Sequence, residues 1–139
     1  MKWICVLFAL LLLAIVAAAN TGVGEPVFEV VRRVPLGDAL AHVLLLGVMS
    51  LLLNLVLDTT RFHWGPFRPL RGTTVLLVLA TLEEFSQLAL VYRTFSFIDA
   101  AANGVGIVAF GWLAVWLNRR SLGRGQFTTD PLPGADSKN

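Results

Sequence analysis

Residues 73–91 read TTVLLVLATLEEFSQLALV. Apart from Glu83, Glu84 and Gln87 the stretch is apolar or hydroxylic, and as a helix it is long enough to cross a hydrocarbon core about 30 Å thick. A charged residue at the centre of such a helix costs roughly 2.5–3.5 kcal/mol on insertion scales. A chain that keeps two adjacent carboxylates there, with Gln87 one turn on, must bury them against partners. This segment therefore sets both the fold class, helices in lipid, and the place to look for function.

The rest of the chain agrees. It has 139 residues, 56% hydrophobic and 14% charged, with a mean hydropathy of +0.74. Soluble domains carry about 25% charged residues, so the bilayer is the expected solvent. Three more apolar runs, Trp3–Ala19, Ala39–Leu57 and Ala100–Leu117, are each of spanning length. The expectation is an all-α, integral membrane four-helix bundle. Its helices cover about 3–19, 38–57, 73–91 and 99–117 within a single domain, 1–117. Gly22, Gly24, Pro26 and Pro35 mark the first connection, and Gly65, Pro66, Pro69 and Gly72 the second. The third, around Arg93–Phe97, is short, which predicts an antiparallel pair. Residues 118–139, polar and containing Pro131, Pro133 and Gly134, read as a disordered cytoplasmic tail.

Charge placement predicts orientation. With the N-terminus inside, eight cations (Lys2, Arg61, Arg68, Arg71, Arg119, Arg120, Arg124, Lys138) fall on the cytoplasmic side, against three (Arg32, Arg33, Arg93) outside. Both termini are then cytoplasmic in a multi-pass protein. The first run also has signal-peptide features: Lys2, an apolar core and Ala17-Ala18-Ala19. That core exceeds the roughly 7–15 residues of a signal h-region, which favours a retained helix. Cys5, the single cysteine, excludes an internal disulfide. No basic patch with interleaved aromatics points to nucleic acid.

The polar residues sort onto one end. Asp38 and His42 open the second helix, Glu83, Glu84 and Gln87 lie late in the third, Arg93 follows it, and Asp99 and Asn103 open the fourth. Asp38/His42, Glu83/Gln87 and Asp99/Asn103 are i,i+4 pairs, each sharing one helix face. Ala102 and Gly106 beside Asn103 would let neighbouring backbones approach. The expected result is a polar cleft opening to the extracytoplasmic side. A structural reading stands beside this one, with the carboxylates paired to Arg93 and His42 simply to hold the helices. Asp38 and Asp99 suit helix N-termini, and Arg93 suits an interfacial anchor. Ser50 and Asn54, deeper and rotated from His42, read as helix–helix contacts.

The order Asp38-Ala-Leu-Ala-His42, Glu84-Phe-Ser-Gln87, Arg93, Asp99-Ala-Ala-Ala-Asn103-Gly-Val-Gly106 resembles the VanZ-like family, small membrane proteins named after a teicoplanin-resistance protein. The likeness covers roughly residues 36–117. Ala39 stands where many relatives have Lys, and the segment Thr59–Arg71 is longer and more aromatic than usual. The resemblance implies a bacterial cytoplasmic membrane protein that binds or acts on an envelope lipid or glycopeptide-like molecule at the outer leaflet. It names no reaction. Binding candidates are Asp38, His42, Glu83, Glu84, Gln87, Arg93, Asp99 and Asn103, with Glu84 at the family's glutamate position and Arg93 suited to an anionic group. Alternatives are an intramembrane hydrolase or transferase, with His42 as base, Glu84 as acid and Asp38 orienting the imidazole, and a structural or regulatory subunit. An ion-coupled carrier fits less well, because the inner half offers only Ser50 and Asn54. No cofactor is expected. A metal held by His42, Asp38, Glu84 and Asp99 has no sequence-local ligand motif behind it.

Overall fold

The computed structural model describes residues 1–87 and 96–125. They form five helices: α1 (Lys2–Thr21), α2 (Glu25–Arg32), α3 (Gly37–Val56), α4 (Arg71–Ser86) and α5 (Phe97–Gly125). Among the described residues there is no strand, only the isolated bridges Arg61↔Leu70 and Trp64↔Phe67. Three helical stretches, Lys2–Thr21, Gly37–Val56 and Phe97–Ser121, are long and apolar enough to cross a membrane. In α4 the described helix stops at Ser86, and the remainder of the 73–91 run lies outside the described residues. Large apolar side chains such as Leu7, Leu10, Leu40, Val78, Leu82 and Val105 are exposed on these helices, as expected of surfaces whose solvent is lipid.

The core is the contact of α3 with α5, the most extensive in the molecule. The two helices run parallel, with partners 57 to 61 residues apart in sequence. His42 meets Asn103, Ser50 bonds the Ile107 carbonyl and Thr59, beyond the end of α3, meets Asn118. Small residues allow this closeness. A side chain at Gly106 would collide with the backbone carbonyl of Val43, so glycine there lets the two backbones touch. Ile107 and Ala114 are completely buried in the same seam. α4 lies against both helices, and α1 packs mainly on α3. α1 is the peripheral element, with Trp3, Leu7, Leu10 and Leu13 all exposed.

Two features differ from the sequence reading. The first is α2, which falls in a segment read as connection. Pro26 sits in its first turn, where the missing N–H does no harm. Glu25 and Glu29 share one side, while Val27 and Val30 are exposed on another. Such a short amphipathic helix suits a membrane surface. The second is the length of α5, which continues past Leu117 to Gly125. No proline interrupts 118–125, Asn118 donates to Thr59 Oγ1 at 3.1 Å, and the Arg120 guanidinium stacks 3.6 Å from the Trp116 ring centroid. These contacts extend the helix into the segment read as tail. Residues 126–139 lie outside the described residues.

Between α3 and α4 the connection is ordered by its own side chains. Phe62 stacks on Trp64 with centroids 5.0 Å apart, Arg71 lies over Phe62, and Arg61 donates to the Arg68 carbonyl at 2.7 Å.

Candidate functional site

The sequence candidates converge where α3 and α5 begin and the described part of α4 ends. His42 Nδ1 is 2.8 Å from Asn103 Oδ1. An amide oxygen can only accept, so Nδ1 carries the proton and donates. In the neutral ring this leaves the lone pair on Nε2. His42 is half-buried and Asn103 buried, so the deeper partner fixes the ring while the ring itself stays reachable.

Glu84 is only 2% exposed. The backbone N–H of Ser96 donates to its Oε1 at 3.3 Å, and Gln87 Nε2 approaches Oε2 at 3.4 Å. Both are beyond the 2.7–3.2 Å of good N–H···O bonds. Gln87, equally buried, favours Glu83, donating to its two oxygens at 3.0 and 3.2 Å. The Glu84 carboxylate also lies within electrostatic reach of Glu83, His42 and Asp99. Side chains from α3, α4 and α5 thus gather at one end, with an acid and an imidazole within electrostatic reach of each other. Among the described residues, long contacts on this buried carboxylate leave acceptor capacity for another donor.

Asp99 plays a different local part from the one the sequence suggested. Ser96, not Asp99, caps α5: its hydroxyl oxygen accepts the Asp99 N–H at 3.3 Å, and its carbonyl accepts the Ala100 N–H. Asp99 sits one turn in, half-buried, where an acid suits the helix N-terminus. Ser96 itself was missed by the sequence reading, although Ser-x-x-Asp is close to the capping-box pattern. It does two things, starting α5 and presenting its N–H to Glu84. Asp38 lies in the first turn of α3, half-buried, and among the described residues no hydrogen bond joins it to His42. Arg93 lies outside the described residues. Among the described residues no three His, Cys, Asp or Glu side chains converge to hold a metal ion.

A second polar cluster lies deeper. Ser50 donates to the Ile107 carbonyl at 2.7 Å. Asn54 Nδ2 donates to the Ser50 carbonyl at 2.8 Å and to Thr73 Oγ1 at 3.0 Å. Ser50 and Asn54 are fully buried. A side chain at Gly111 would collide with Thr73 Oγ1, so this node fixes α3, α4 and α5 with no room between them. Among the described residues Asn54 Oδ1 has no hydrogen-bond partner, and it faces Gly72 at the first turn of α4. The node is the helix–helix contact that the sequence suggested for Ser50 and Asn54. No family model, no curated protein and no solved structure matches the chain.

Proposed function

We propose that this chain is a VanZ-like membrane protein that binds an envelope lipid or glycopeptide-like molecule at the outer leaflet, through a cleft centred on Glu84 and His42. In this reading the apolar run 73–91 of the sequence is a further membrane span, and both termini face the cytoplasm. The observation that carries the reading is Glu84: a carboxylate 2% exposed, whose contacts among the described residues, with Ser96 and Gln87, are 3.3 and 3.4 Å long. A purely structural acid at membrane depth is expected to be closely paired. One whose contacts among the described residues are all long, within electrostatic reach of an imidazole, suits a ligand bearing hydroxyl, amide or ammonium donors. Arg93, which follows the 73–91 run in sequence, would meet an anionic group of the same ligand. Asn103 and Ser96 act as positioning residues, orienting His42 and Glu84 respectively.

The test is the identity of lipids retained by the purified protein, read by mass spectrometry on the wild type and on Glu84→Gln. An envelope lipid enriched on the wild type and depleted on the variant supports the proposal. The same lipids in the same amounts on both would sink it.

A second reading, an intramembrane hydrolase or group transferase, is favoured by one observation. The His42–Asn103 bond leaves Nε2 as the basic nitrogen, and the Glu84 carboxyl, if protonated, supplies an acid in the same cluster. It predicts a turnover abolished by both His42→Ala and Glu84→Gln in folded protein. Unchanged turnover in either variant removes it.

A further inference from the structure

At the end opposite the His42 cluster, a cavity of about 490 Å³ opens between the start of α1 and the ends of α3 and α5. Its volume falls in the roughly 300–1,000 Å³ range of small-molecule sites. Leu55 and Leu117 give it apolar walls, and Lys2, Asp58, Asn118 and Ser121 supply its polar groups. Trp3 and Trp116, both exposed, flank it on α1 and α5 as aromatic residues flank a membrane–water interface. The cavity thus combines apolar walls with a charged mouth at interfacial depth.

Lys2, Asp58 and Ser121 stand exposed at its rim, and the turn that carries Asp58 is fixed in place. Asp58 and Thr59 both hold positive φ, 50° and 53°, and for a β-branched threonine this is an outlying conformation. It is held from two sides: the Thr59 N–H donates to the Asn54 carbonyl at 2.8 Å, and Asn118 Nδ2 donates to Thr59 Oγ1 at 3.1 Å. Asn118 thereby uses an N–H donor and keeps its amide oxygen. Ser121 donates its hydroxyl proton to the Asn118 carbonyl at 2.8 Å and keeps its lone pairs. The lining therefore offers three kinds of acceptor (carboxylate, amide oxygen, hydroxyl oxygen) and, on α1, the Lys2 ammonium.

We propose that this cavity binds the head group of a phospholipid carrying a primary ammonium, the ethanolamine type, with the ammonium on Asp58, Asn118 and Ser121 and the phosphate on Lys2. Charge and donor chemistry both select this head group. A quaternary choline has no N–H to give the three acceptors, and a glycerol head group brings no cation for Asp58. The acyl chains would run along the exposed apolar faces of α1 and α5. This site shares no residue with the Glu84 cluster and stands or falls separately from it.

The full chain, purified in detergent and exposed to an equimolar mixture of dioleoyl phosphatidylethanolamine, phosphatidylcholine and phosphatidylglycerol, tests the proposal by native mass spectrometry. The ethanolamine lipid is expected to be retained about tenfold over each of the others, a difference of about 1.4 kcal/mol. Asp58→Asn should erase that preference, and asparagine tolerates positive φ, so the turn is preserved. Lys2→Gln should weaken all three lipids together. Equal retention of the three by the wild type overturns the proposal. So does preference for the glycerol lipid, or an Asp58→Asn variant that still prefers ethanolamine.

Discussion

Two polar clusters bind α3, α4 and α5 together, and their chemistry differs. In the deep node, Ser50, Asn54 and Thr73 are neutral, their bonds to one another and to the Ile107 carbonyl run from 2.7 to 3.3 Å, and Gly111 closes the space over them. In the terminal cluster the ionisable Glu84 is buried with contacts of 3.3 and 3.4 Å among the described residues, and His42 is half-buried and bonded to Asn103. Neutral groups that bond one another at short range do what helix packing in lipid requires. A charged group held at long range is a poor clamp and a good acceptor. Burial alone therefore does not separate packing from function here, since Glu84 and Asn54 are both buried. The presence of an ionisable group does.

Substitutions can break that contrast, and the largest effect is expected in the deep node. Gly111→Leu forces a side chain into Thr73 and should lower stability by about 1–3 kcal/mol, the usual cost of overpacking. Thermal unfolding in detergent measures it, and an unshifted midpoint would mean the node is not closely packed. Glu84→Gln is the reverse case: unfolding should change little, while retention of the bound envelope lipid falls about tenfold, or ~1.4 kcal/mol. Ser96→Ala removes the cap of α5 and should cost about 1 kcal/mol, within the range for lost N-caps. Because the Ser96 N–H to Glu84 remains in that variant, its loss of lipid should be smaller than that of Glu84→Gln. The smallest effect is Asn54→Ala, about 0.6 kcal/mol, the average for interhelical hydrogen bonds in a membrane, with lipid retention unchanged. Were Asn54→Ala to deplete lipid as Glu84→Gln does, the distinction between the two clusters would collapse.

Hydrophobic run length and helical period made the α3 and α5 spans and the first helix legible in the sequence, because lipid imposes both directly. The i,i+4 spacing also placed His42, Asn103, Glu84 and Gln87 at one end. What it could not give was partner choice. His42 pairs across to Asn103 and not along its own helix to Asp38, because the parallel offset of α3 and α5 sets which side chains meet. That offset depends on the close approach at Gly106, a packing property invisible to periodicity. Ser96 was missed for a related reason. Its hydroxyl is read as turn chemistry, while its service to Glu84 is a tertiary contact made by backbone. The helix α2 escaped because Gly24, Pro26 and Pro35 dominate the local signal, although Glu25/Glu29 against Val27/Val30 carries a helical period.

The peripheral position of α1 has a consequence for how the protein could be processed. Every side chain of the His42–Asn103 and Glu84–Ser96 contacts comes from α3, α4 or α5 and the cap of α5. The cavity at the other end takes Lys2 from α1. A proteolytic cut after Ala19 would therefore leave the Glu84 cluster intact and strip the opposite cavity of its cation and one wall. One bond in the chain divides a protein with two recognition ends from a protein with one, and comparing lipid profiles of the full chain and of a chain starting at Asn20 would read that difference directly.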